Sequence, residues 1–164
     1  MIDLNVALYT FLDIEASGLD QPNSYPIEIA WSDTLGNQDA FLIQPASCWV
    51  HWDERAEAVH GISREILLGN GIPVREAAER LNESLGVETI YCDAIDFDGF
   101  WMSRLFAAAG QEMTFFLASV FDLYAELTSD QLTTLLAHLR ENPSTHRALA
   151  DAYRYSGAFL KALR

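Results

Sequence analysis

Near residue 46 the hydrophobic period of this chain changes, and that change constrains the fold more than any other feature. Before it come three strand-like segments: "ALYTFLDI" over 7–14, "IEIAWSD" over 27–33 and "DAFLIQP" over 39–45. The turns "GLDQPNSYP" and "LGN" separate them, and such short links favour an antiparallel meander. Beyond residue 46, helical frames alternate with short strands. "DERAEAVHG" and "ISREILLGNG" each close on a glycine, and "PVREAAERLNESLG" runs from Pro73 to Gly86. "ETIYCDA" reads as a fourth strand, "DFDGFWMSRLFAAAG" as a helix and "MTFFLASV" as a fifth strand. A helix over 128–142, capped by Thr128 or Ser129, is broken by Asn142-Pro143, and a last helix runs from Thr145 to Arg164. Strands first and alternation afterwards predict an α/β fold. It has one five-stranded mixed sheet, three antiparallel strands and then two more, flanked by helices. At 164 residues the chain is long enough for a single domain over 1–164 with its own core.

Within the first strand, "FLDIEASGLD" places Asp13 and Glu15 two residues apart. Strand side chains alternate, so both acids share a face while Leu12 and Ile14 point to the other. Two carboxylates on one sheet face repel unless neutralised, and a hard divalent cation with oxygen ligands neutralises them well. An exposed edge strand with polar residues outward carries the same pattern. The C-terminal "STHRALADAYRYSGAFLKAL" buries Asp151 in an apolar helix, where an unpaired acid is costly. Five residues turn a helix by about 140°, so His146 belongs at the helix entry, not on the face of Asp151. Asp93, Asp96 and Asp98 lie between the fourth strand and a helix that buries Phe100, Trp101 and Leu105. Acids there also serve as caps or dipole partners.

The charge balance excludes much. Asp and Glu number 24 against 10 Lys and Arg, a formal net charge of −14. Lys161 is the single lysine, and the arginines are scattered rather than clustered. Such a surface repels polyanions and anionic membranes and argues against a long basic groove. No apolar run approaches the roughly 18 residues of a membrane span. "MIDLNVALYT" lacks a basic start, so no signal peptide is expected. Cys48 and Cys92 form no CxxC pair, which disfavours a disulfide scaffold or zinc ribbon and favours a reducing cytoplasm.

Taken together, DxE in the first strand, "FDGFWMSRL" opening a middle helix and "HRALADA" in the last helix resemble the DEDDh 3′–5′ exonucleases. That superfamily includes RNase T, oligoribonuclease and polymerase proofreading exonucleases, with an RNase H-like fold. "EASGLD" resembles its E-x-[TS]-G-L turn and "AVHGIS" its A-x-x-HGIT segment. The resemblance runs from Phe11 to about Leu163. It implies that Asp13, Glu15, Asp98 and Asp151 hold two Mg²⁺ or Mn²⁺ ions, and that His146 is the general base. Asp93 stands near the place where the family usually has His-Asn and is the alternative middle acid. By the same pattern Ala16, Ser17, Gly18 and Leu19 touch the terminal nucleotide, with His60 and Phe97 on the pocket wall. Trp31, Trp49, Trp52 and Trp101 are either core or base-stacking residues. The implied activity is release of nucleoside 5′-monophosphates from the 3′ end of single-stranded or short nucleic acid. A degrader of very short oligonucleotides and a non-catalytic protein-binding module are the alternatives. A homodimer is the family expectation, and no membrane association is expected.

Overall fold

A computed structural model of the protein describes residues 8–164; Ala7, where the first strand was expected to begin, lies outside the described residues. Strands β1 (Thr10–Ala16), β2 (Pro26–Asp33) and β3 (Gln38–Leu42) form the antiparallel meander. Helices α1 (Glu54–His60), α2 (Arg64–Asn70) and α3 (Val74–Leu85) follow. The chain then returns to the sheet as β4 (Thr89–Cys92), parallel to β1, and through α4 (Ile95–Ala109) to β5 (Phe116–Ser119), parallel to β4. Short α5 (Val120–Tyr124), then α6 (Ser129–Glu141) and α7 (Ala148–Ala162), complete the fold. The five strands lie in the order β3-β2-β1-β4-β5, so the mixed sheet has the expected three antiparallel and two further strands.

Alternation along β1 divides the core in two. Leu12, Ile14 and Ala16 pack with Ile27 and Ile29 of β2 against Leu81 of α3 and Met102 and Leu105 of α4. Phe11 faces the opposite layer, with Leu135 and Leu139 of α6 and Ala158, Phe159 and Ala162 of α7. Its ring lies 4.8 Å from that of Phe159. Burying a side chain of this size contributes about 1.5–3 kcal/mol. Asp13 and Glu15 share the Phe11 face, so they look toward α7. Glu15 pairs across the sheet with Glu28 of β2, and the register shifts immediately afterwards, between Glu15 and Ala16.

Boundaries moved where side chains compete for backbone groups. Of the two expected caps of α6, Thr128 is the one used, and it forms a capping box in which Thr128 and Gln131 exchange bonds. The last helix, however, starts at Ala148 and not Thr145, because the amides of Thr145 and His146 donate to the Asp151 carboxylate at 3.0 Å each. The five-residue α5 was not foreseen; Ser119 caps it directly after β5. No helix among the described residues is long and apolar enough to cross a membrane.

Candidate active site

The carboxyl ends of the parallel neighbours β1 and β4 open onto one cleft of about 1210 Å³. In open α/β sheets a crevice at the carboxyl ends of the strands is the usual binding position. Asp13, Glu15, Asp93, Asp98, His146 and Asp151 all line it. The sheet holds the first two, the β4–α4 junction the next two, and the entry of α7 the last pair. One ligand atom each from Glu15, His146 and Asp151 lie within 4.8 Å of one another.

The acids are electrostatically frustrated. Burial, then Asp98, Glu15, Asp93 and Asp151, push Asp13 well above the usual carboxylate range. Burial, then Asp151 and Glu28, raise Glu15 to about 7, with Arg147 pulling the other way. Asp98 is 2% exposed, and its Oδ2 has no hydrogen-bond partner among the described residues. Burial and Asp93 raise its pKa to about 8, partly offset by the Cys92 thiol and the Ala94 amide. A buried carboxylate oxygen without a donor, facing other carboxylates, is what an oxygen-ligated divalent cation would satisfy. The donor set therefore fits such an ion. Asp98 is the more enclosed of the two middle acids. Asp93 also lines the cleft and accepts the Tyr155 hydroxyl at 3.0 Å.

A strap of residues 144–148 holds His146 between two carboxylates. On one side, Asp151 Oδ2 accepts the Ser144 hydroxyl at 2.6 Å and the His146 amide at 3.0 Å, and Oδ1 accepts the Thr145 amide at 3.0 Å. On the other, Glu28 receives both arms of Arg147, at 3.1 and 2.7 Å, and the Ala148 amide at 3.0 Å. His146 has φ 56°, a left-handed conformation that costs a residue with a Cβ about 1–2 kcal/mol. Asp151 and Glu28 stabilise that backbone and leave the exposed imidazole beside Glu15. Glu28 was missed in the sequence. It carries the same signal as Asp13 and Glu15, an acid between two core apolar residues, here Ile27 and Ile29, but only the strand register reveals it as the neighbour of Glu15.

The predicted contact residues divide. Ala16, Gly18, Leu19, His60 and Phe97 line the cleft, and Leu19 is 70% exposed. Ser17 does not; this placement is a correction. The residue is 1% exposed, and its hydroxyl accepts the Tyr25 amide at 3.1 Å and bonds His51 Nδ1 at 3.0 Å. His60 is a sealed wall: Nδ1 accepts the Ile62 amide at 3.1 Å, and burial holds its pKa below the ordinary value. Phe97 packs on Trp101 at 5.5 Å. Trp49 and Trp101 are core, and Trp31 and Trp52 are half-buried. Of the four tryptophans Trp52 and Trp101 border the cleft, and the Trp52 Nε1–H is engaged by Glu57 at 2.6 Å. His51, Arg55 and Arg154 also line the cleft and carried no sequence signal.

A family model described as Exonuclease (RNase_T) matches residues 10–157. No curated protein sequence matches the chain. Among solved structures, the chain is similar to Escherichia coli exonuclease I in complex with a dA16 oligonucleotide, with TM-score 0.72 and 16% identity over 93% of this chain and 40% of that one. It is also similar to exonuclease I from Methylocaldum szegediense, with TM-score 0.70 and 18% identity over 93% of this chain and 39% of that one. A zinc-bound E. coli exonuclease I complex with single-stranded DNA gives TM-score 0.69 and 16% identity over 94% and 40% of the two chains. The chain thus spans about 40% of the length of these exonuclease I chains.

Proposed function

The chain belongs to this exonuclease family, and from that premise we propose that it is a DEDDh-type, divalent-metal-dependent 3′–5′ exonuclease. Its substrate would be the 3′ end of single-stranded or short nucleic acid, and its product a nucleoside 5′-monophosphate. The observation that carries this reading is the gathering of Glu15, His146 and Asp151 within 4.8 Å, beside buried Asp98 with its unpartnered oxygen. Asp13, Glu15, Asp98 and Asp151 would hold the ions, Mg²⁺ or Mn²⁺ by analogy with the family. Bound ions would supply charge neutralisation at the scissile phosphate and a more acidic water. His146 accepts the proton of the attacking water, as befits an exposed imidazole on a braced backbone. Leu19, exposed at the mouth, would wedge against the terminal base.

A preference for short oligonucleotides is supported by the cleft's lining, which has only two basic residues among those described, Arg55 and Arg154. Arg55 is paired with Asp53, and Arg154 donates to the carbonyls of Asn142 and Leu139. The test is incubation with 5′-labelled DNA, RNA and dinucleotides of graded length, in Mg²⁺, Mn²⁺, Zn²⁺ or chelator. Stepwise shortening from the 3′ end, absent in chelator, is expected. Absence of mononucleotide release with every metal and substrate would leave the non-catalytic module standing instead.

A further inference from the structure

His51 belongs to no motif, yet the hydrogen-bond arithmetic around it is closed on one side and open on the other. Ser17 Oγ accepts the Tyr25 amide at 3.1 Å, and that amide can only donate. The hydroxyl carries one proton. Its other partner is His51 Nδ1 at 3.0 Å, and Ser17 is 1% exposed. If Nδ1 carried a proton, the Ser17 hydroxyl would become a buried donor with no acceptor among the described groups, which costs about 1–3 kcal/mol. The satisfied arrangement gives the Ser17 proton to Nδ1 and leaves the ring proton on Nε2. Nε2 has no partner among the described residues, and His51 lines the cleft.

The ring is also fixed in place. A Cβ on Gly18 would stand 2.6 Å from His51 Cε1 and 2.9 Å from Asp53 Cβ, so only glycine lets this segment lie so close. The Asp53 amide donates to the Ser17 carbonyl at 2.9 Å, which ties the 51–53 segment to the end of β1. Ser17 thus acts on the cleft through His51.

We propose that His51 is a substrate-binding residue: its Nε2–H donates a hydrogen bond to an acceptor atom of the 3′-terminal nucleotide, beside Gly18 and Leu19. This rests on the exonuclease reading of the cleft.

The test begins with the wild type, assayed for mononucleotide release in Mg²⁺ and titrated calorimetrically with deoxyadenosine 5′-monophosphate in Ca²⁺. If it neither releases nor binds mononucleotide, the reading of the cleft itself falls. If it does both, His51→Ala and His51→Phe should each weaken mononucleotide binding about tenfold, or about 1.4 kcal/mol. KM should rise by the same factor with kcat near wild type, the mark of binding shared by ground and transition states. His51→Gln, which keeps an outward N–H, should recover most of the affinity. Ser17→Ala, which frees the ring, should fall between. An active wild type with unchanged binding in His51→Phe overturns the proposal, since that variant keeps an aromatic ring at the position but carries neither nitrogen. His51→Phe and His51→Gln keep the side chain's bulk, so their comparison decides the matter even if the alanine variant is unstable.

Discussion

Asp98→Asn should stabilise the metal-free protein above neutral pH, although it removes a residue proposed to hold the ion. Asp98 is 2% exposed and its pKa is raised from 3.8 to about 8 by burial and by Asp93. A carboxyl whose folded pKa exceeds its unfolded value contributes stability that is fully present below the unfolded pKa and is lost as pH rises through the folded one. The window is therefore pH 4 to 8. At about 1.4 kcal/mol per pH unit, a single independent group would forfeit on the order of 4 kcal/mol between pH 5 and pH 8. Asp13 and Glu15 compete for the same protons, so about 1–3 kcal/mol is the expected share of Asp98. Asparagine keeps the shape without adding charge. For a domain of this size each kcal/mol shifts Tm by about 2–4 °C. The assay is thermal melting in chelator from pH 5 to 8.5. The wild type should lose Tm as pH rises, and Asp98→Asn should lose less, by about 2–12 °C at pH 8. Saturating Ca²⁺ or Mg²⁺ should reverse the order, since ligand at 100 times its Kd adds about 2.7 kcal/mol to a protein that binds it. A wild-type Tm that is flat over this range and parallels that of Asp98→Asn would refute the reasoning, because the buried carboxylate would then be ionised at no cost.

His146→Ala should lower turnover by about 10²-fold or more, the scale of a lost general base, while calorimetric Ca²⁺ binding stays near wild type. Glu28→Gln should weaken the bracing of Arg147 and Ala148; kcat should fall about tenfold with KM little changed, an effect equal to about 1.4 kcal/mol in the barrier. Binding of single strands by a catalytically dead variant in Ca²⁺ should depend weakly on salt, with a slope matching about one to three phosphates at roughly −0.7 each. A steep slope, or affinity climbing with strand length, would reveal a basic track.

The fold was legible because its signals are local. The meander is written in two short turns and three alternating segments, and the helix frames in Pro73, Gly86 and the Thr128 cap. What escaped is long-range. The Asp151 carboxylate reaches back to residues 144–146 and melts the first turn expected for the last helix. In the site, the acids that line the cleft were nameable because carboxylates flanked by core residues stand out along a strand or helix. Ser17 was misread for the converse reason: a small polar residue after a strand looks open, but Tyr25 and His51 enclose it from 8 and 34 residues away. Glu28 and His51 became visible only once the β1–β2 register and the 51–53 segment were in place.

The same long-range contacts resolve how so acidic a chain could handle an anion. Most of its arginines are already committed within the fold. Arg55 pairs with Asp53, Arg75 with Glu79, Arg80 with Asp39 and Arg147 with Glu28. Arg64 donates to Tyr25 and the Trp49 carbonyl, Arg104 to the Pro22 carbonyl, and Arg154 to the carbonyls of Asn142 and Leu139. Arg64, Arg80, Arg104, Arg147 and Arg154 tie separate segments of the fold together, while Arg55 and Arg75 make local surface pairs, so little unpaired positive charge is left to track a phosphate backbone. On the proposed reading, attraction would come from close range: cations held by Asp13, Glu15, Asp98 and Asp151, and hydrogen-bond donors such as His51. Both would act only on a terminus already seated in the cleft, so discrimination would fall on the last nucleotide rather than on the length of strand behind it.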